Sequence, residues 1–324
     1  RAMLQLPRPT SGSVRVDVNG NGLADVEDTG GISGVTVSLK TNDVTVVTTV
    51  TASDGSFVFA GLQPGSYKLE ETDPSGYVST SANQKNVTVT SGQESGGHVF
   101  LDTQTGGIGN FVWEDVNGNG VQDPGEPGLS NIVVRLLNAQ GTEMASTQTD
   151  TNGLYSFTSV VPSLYVLSFE PPDGYVPARY WSGADRAADN DVNPYTWLTD
   201  IIMLSSGVND MTVDAGFYVP AVLDGYLFKD ADVNGIRSAG DPSITNILVR
   251  LVVDDIVVAS TNTDFYGYYL FTDVPAGPVT LLVSREGALL AEVPQEEPYA
   301  SDERRTRALA DSEGLDAYIE YDVV

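Results

Sequence analysis

A twelve-residue pattern occurs three times in this chain: DVNGNGLADVED from Asp17, DVNGNGVQDPGE from Asp115 and DADVNGIRSAGD from Asp230. The copies start 98 and 115 residues apart, a period the size of a domain rather than of a solenoid turn. Whatever fold surrounds the pattern must therefore be built three times. After each copy, apolar residues alternate along the chain: Val35, Val37 and Leu39; Ile132, Val134 and Leu136; Ile247, Val249 and Leu251. A period of two places them on one face of a strand. Further on, SDGSFVF, TNGLYSF and FYGYYLF each set a glycine (Gly55, Gly153, Gly267) ahead of two aromatics spaced to point inward. These stretches read as hairpins whose turn takes a glycine dihedral. LQPGSYKL, VVPSLYVL and, more weakly, VPAGPVTLL supply another strand. Strands recurring roughly every 8 to 12 residues, with no amphipathic helix of three turns, predict an all-β chain of sandwiches. The expected division is a leader over 1–10 and sandwiches over 11–103, 104–219 and 220–324, joined by the short connectors DTQTGG and YVPA.

The 324 residues carry 44 acidic and 16 basic side chains, a net charge of -28. Such a chain repels phosphate backbones and anionic headgroups, so nucleic acid and membrane surfaces are poor partners and cations are good ones. The acids sit in short Asp/Asn clusters rather than in a block, which places them in folded loops. There is no cysteine and one histidine, His98, so thiolate and histidine metal sites and cysteine nucleophiles are excluded. With no nucleophile elbow and no phosphate loop either, a non-enzyme is expected. The opening RAMLQLPRPT has no signal-peptide pattern and reads as a mature or internal terminus.

The loop spelling is that of an EF-hand calcium loop, with oxygen-bearing side chains at alternate places and a glycine at the sixth, yet strands rather than helices flank it. Calcium takes six to eight oxygens, and such a loop wraps them around an ion whatever elements fix its ends. The expected ligands are Asp17, Asn19, Asn21, the Leu23 carbonyl, Asp25 and Asp28 in the first copy. In the second they are Asp115, Asn117, Asn119, the Val121 carbonyl, Asp123 and Glu126. In the third they are Asp230, Asp232, Asn234, the Ile236 carbonyl and Asp241, with Ser238 where the other copies have Asp and hence a weaker site. The competing reading is an Asn/Gly-rich turn without an ion. A second calcium is expected at Asp185, Asp189 and Asp191, in an insertion of the second copy, against a solvated acidic loop as the alternative. Asp150 and Asp264, before the glycine turns, are ligands or turn caps. The insertion also carries Tyr180, Trp181, Tyr195 and Trp197, which either dock a glycan or protein ligand or plug the sandwich mouth and the seam beyond it.

The run GNFVWEDVNGNGVQDPGEPGLSNIVVRLLN, followed by TDTNGLYSF and TVDAGFY, resembles the SdrD B-like repeat domains of serine-aspartate-repeat surface adhesins, with collagen-adhesin B domains as relatives. The likeness extends over nearly the whole chain, the second copy matching best and the third being shortened after Leu282. It implies three tandem Greek-key β-sandwiches of Ig-like or prealbumin-like build with calcium in EF-type loops, serving as stalks on extracellular, cell-surface proteins. The partners it implies are calcium ions and neighbouring repeats or copies in a surface assembly. A ligand-binding adhesin module and a non-catalytic appendage of a secreted enzyme are the other readings. A dockerin is not, because dockerin loops lie about twenty residues apart on helices.

Overall fold

The computed structural model describes residues 8–182, 184–232, 234, 236–253, 256–274, 279–285, 288–294, 305–309 and 317–323, and among these there are strands and turns but no α-helix. The first sandwich contains β1 (Arg8–Val16), β2 (Thr36–Thr41), β3 (Val44–Val50), β4 (Ser56–Leu62), β5 (Gly65–Glu71), β6 (Val78–Ser79), β7 (Gln84–Val89) and β8 (Ser95–Thr103). One sheet runs β4-β1-β8-β6 and the other β3-β2-β5-β7, with β1 and β8 side by side and parallel. The second contains β9 (Gly106–Glu114), β10 (Val133–Asn138), β11 (Glu143–Gln148), β12 (Leu154–Val160), β13 (Ser163–Glu170), β14 (Val176–Pro177), β15 (Ile202–Leu204), β16 (Asn209–Asp210) and β17 (Ala215–Tyr218). Its sheets, β12-β9-β17-β14 and β11-β10-β13-β15, repeat the first pattern, again with a parallel pairing of first and last strands.

The third contains β18 (Ala221–Lys229), β19 (Leu248–Val253), β20 (Ile256–Asn262), β21 (Tyr268–Val274), β22 (Thr280–Arg285), β23 (Ala288–Pro294), β24 (Arg305–Leu309) and β25 (Ala317–Val323). It departs in one respect: β25 lies antiparallel to β18, and it pairs antiparallel with β24 on its other side.

The alternating apolar residues do face inward. Val35, Val37 and Leu39, with Ile132, Val134 and Leu136 and with Ile247, Val249 and Leu251, lie between the sheets in three separate cores. The aromatic pairs join them: Phe57 and Phe59, Tyr155 and Phe157, Tyr269 and Phe271 are all buried.

The glycine turns, however, are not hairpins. β3 pairs with β2 and β4 with β1, so the turn at Gly55 carries the chain from one sheet to the other, as do those at Gly153 and Gly267. The glycine requirement holds for a second reason besides its φ of 76°, 85° and 73°: a Cβ would stand 2.3 Å from the carbonyl oxygen of Val14, Val112 or Leu227. A turn pressed this closely against the first strand of the opposite sheet closes that end of each sandwich.

Candidate metal centres

Each acidic loop follows the first strand of its sandwich, and its first carboxylate points into the protein. Asp17, Asp115 and Asp230 are buried. Folding compensates that burial with backbone donors from the loop's own bend. Asp17 accepts from the N–H groups of Gly20 and Gly22 at 2.8 Å each, Asp115 from Asn119 and Gly120 at 3.2 and 2.6 Å, and Asp230 from Asn234 at 3.2 Å.

The last carboxylate straps the loop. Both oxygens of Glu126 accept, from the Val116 and Asp123 N–H groups at 2.9 Å. Asp28 does the same for Val18 and Asp25, and Asp241 for Ala231 and Ser238. The shorter Asp28 thus reaches both partners that the longer Glu126 reaches. Between these ends, the N–H groups of Leu23, Val121 and Ile236 donate to the Oδ1 atoms of Asn21, Asn119 and Asn234 at 2.7, 2.7 and 2.6 Å.

The middle of the loop differs among copies. In the third, one carboxylate oxygen from each of Asp230, Asp232 and Asp241 lies within 4.8 Å of the others. In the first two, amide groups face the ninth-place carboxylate: Asn19 and Asn21 donate to Asp25 at 3.2 and 3.1 Å, and Asn117 and Asn119 to Asp123 at 2.8 Å. Each of these amides turns its Oδ1 to a backbone N–H, of Asn21, Leu23, Asn119 or Val121, and that oxygen keeps a second lone pair for an ion. The donor set then consists of oxygens alone, the set that suits a hard divalent cation. Burial pushes the Asp115 and Glu126 carboxyls above the usual carboxylate range, so their ionised forms gain from positive charge. The residues present fit calcium.

The insertion of the second sandwich docks on its loop, which the sequence spacing did not show. Val121 bridges to Asp189, Gln122 donates to the Ala188 carbonyl and Asn190 to the Gly120 carbonyl. Asp189 is buried, with one oxygen on Arg186 at 2.8 Å and the other without a hydrogen-bond partner. Asp191 accepts from the Asp214 N–H at 2.9 Å, and burial raises its carboxyl to about 7. Asp185 stays on the exposed rim, where its oxygen caps the Ala187 N–H. The structure adds a residue absent from the expected set: Asp214, fully buried, with one unpartnered oxygen and a carboxyl raised to about 8 by burial and then by Asp191. Its signal was in the TVDAGFY stretch, but only β17 brings it beside the insertion. Asn190 is a cross-brace, its amide spent on the Ala178 and Val192 carbonyls and the Gly216 N–H.

Asp150 and Asp264 are turn caps. Each accepts two N–H groups of its own turn, from Asn152 and Leu154 and from Tyr266 and Tyr268, at 2.7 to 2.9 Å. Of the insertion's aromatics, Tyr195 is 92% and Trp181 50% exposed. Trp181 stacks on Tyr180 at 4.9 Å and carries the Arg186 guanidinium over its ring, 3.9 Å from the centroid, while Trp197 leans on Phe217.

The first loop also touches the next sandwich. The Val18 carbonyl accepts from the Ser206 N–H at 2.9 Å, and a Cβ on Gly20 would lie 2.0 Å from the Pro162 carbonyl oxygen. At the second junction the Tyr218 hydroxyl is raised to about 12 by burial and by Asp273 and Asp115 on either side of the seam.

Comparison with known proteins follows the same threefold division. The model of the SdrD B-like domain matches residues 12–101, 106–217 and 221–311. The chain is 36% identical over 277 residues to serine-aspartate repeat-containing protein D of Staphylococcus aureus strain Newman, covering 81% of this chain and 20% of that protein. It is 34% identical over 280 residues to serine-aspartate repeat-containing protein F of Staphylococcus epidermidis, covering 81% and 16%. The chain therefore spans about a fifth or less of these relatives' length. Among solved structures, a streptococcal ancillary pilin aligns over 92% of this chain and 96% of its own at 12% identity, with a TM-score of 0.32, too low to bear on the argument.

Proposed function

Because this chain belongs to the SdrD B-like domain family, we propose that it is a calcium-stabilised spacer segment of an extracellular, cell-surface protein, working through stiffness rather than catalysis. The observation that carries this reading is the position of the first loop. It is at once the oxygen-rich candidate centre and the wedge between two sandwiches, through Val18 to Ser206 and Gly20 against Pro162. An ion that fixes the loop then fixes the junction too. The strands β8 and β9 are separated by two residues, which leaves little slack for the sandwiches to turn independently.

Calcium would be held by the loop carboxylates and amides named above, and it supplies positive charge that offsets repulsion among side chains already buried. Removing it with EDTA is expected to lower the melting temperature by about 10 °C or more in calorimetry, by the linkage of binding to folding. Small-angle scattering of the same sample should show the particle bending. A melt indifferent to chelation would refute the calcium part of the reading, and an unchanged scattering profile would refute the stiffness part.

The exposed stack of Tyr180, Trp181 and Arg186 supports a second reading, an adhesin module with a glycan or protein ligand. Binding in a glycan or matrix-protein screen that is lost in Trp181→Ala would establish it.

A further inference from the structure

The first sandwich buries two carboxylates, Glu71 where both other sandwiches have an apolar residue and Asp102 where the second has a phenylalanine. Glu71 ends β5 opposite Val37, and Asp102 in β8 lies opposite Val16. By the same register, the second sandwich has Phe169 opposite Val134 and Phe217 opposite Glu114, their rings 6.3 Å apart, and the third has Val283 opposite Val249. The fold therefore does not need acids at this point, and two apolar side chains fill the same space elsewhere.

Asp102 is 0% and Glu71 3% exposed, and none of their four carboxylate oxygens has a hydrogen-bond partner. Asp73 completes the group: one oxygen from each of the three residues lies within 4.8 Å of the other two. Asp73 sits at the exposed mouth, oriented by the Ser79 hydroxyl at 2.7 Å and by the Asn83 amide. A buried pair of acids with empty lone pairs, open to solvent only past a third acid, is an arrangement that lacks its positive charge. Burial, reinforced by the neighbouring acids, raises Glu71 to about 8 and, with Asp73, Asp102 to about 6, the direction expected when that charge is missing.

We propose that Glu71, Asp73 and Asp102 form a cation site, separate from the acidic loop, that takes a hard divalent ion in the first sandwich alone. Three carboxylates supply up to six oxygens, and water at the Asp73 mouth completes the shell. The site lies at the end of the sandwich from which the first loop departs, since the Asp17 N–H donates to the Asp102 carbonyl at 2.8 Å. An ion here braces the root of that loop.

The test uses the metal-stripped full chain, with bound Ca2+ counted by equilibrium dialysis and elemental analysis at saturation. Asp102→Asn is expected to bind one equivalent fewer than the parent, and so is Glu71→Val, which installs the residue type of the third sandwich and keeps the test usable should the first variant fold poorly. Asp115→Asn, in the second loop, should leave this equivalent in place, which separates the site from the loop centres. Crystals grown in Mn2+ should show an anomalous peak between Glu71 and Asp102. Equal Ca2+ counts in parent and both variants, or anomalous peaks at the loops and none here, would overturn the proposal and leave a pair of acids that shares a proton.

Discussion

Thr51, Thr149 and Thr263 do the same task in each sandwich with one hydroxyl. Thr149 donates to the Leu129 carbonyl at 2.6 Å and accepts from the Ile132 N–H at 2.9 Å, and its counterparts repeat both bonds. The hydroxyl thereby pins the chain just where it leaves the acidic loop and enters the core. Thr149→Val keeps the shape but strands two buried backbone groups, so urea unfolding should show a loss of about 1–3 kcal/mol, while Thr149→Ser should stay near the parent. Gly153→Ala combines a φ of 85° with a 2.3 Å approach to the Val112 carbonyl and should cost about 2 kcal/mol or more in the same assay. The glycines were legible in sequence because a turn residue before two aromatics is a local pattern. The threonines were not, because the partners of Thr149 lie 17 and 20 residues away and nothing local marks them.

At the scale of the element, the acidic loop is the unit that both sequence and structure single out. Its spacing is local, so its candidate ligands could be written down directly, whereas Asp214 could not: it meets Asp191 only because β17 lies against β9 beside the insertion. If the loop holds calcium, Asp115→Asn should weaken Ca2+ binding by about tenfold or more, and should lower the melting temperature in calcium but not in EDTA. The buried acids set a pH dependence in the chelated protein. Glu71 and Asp214 are raised to about 8 and Asp191 to about 7, against about 4 for an ordinary carboxyl. The folded state then holds these protons more tightly than the unfolded chain. That contribution is complete below about pH 4 and is lost as pH rises toward 8. Carboxyls held low, such as Asp25 and Asp241, act only below this window. The melting temperature in EDTA should therefore fall between pH 5 and 8. Saturating calcium should remove or reverse the fall, because a cation favours the ionised forms.

For the whole molecule, the junctions decide whether three sandwiches act as one spacer. Gly20→Val would drive a side chain into the Pro162 carbonyl and should open the first junction, seen as faster proteolysis near Gln104 and a more bent scattering profile with the sandwich cores still folded. The sequence alone determined that there are three units, that each is a sandwich, and which faces are buried. Period-two alternation and a repeated loop are local signals, and the strands that supply the cores, β2, β10 and β19 among them, obey the same hydrophobic rule. Only the tertiary structure decided that the glycine turns cross between sheets, that the first loop wedges against Ser206 and Pro162, and that Glu71, Asp73 and Asp102 converge. The physical reason is common to all three: strand pairing brings together residues far apart in the chain, and charge or crowding at such a meeting point has no counterpart in local spacing.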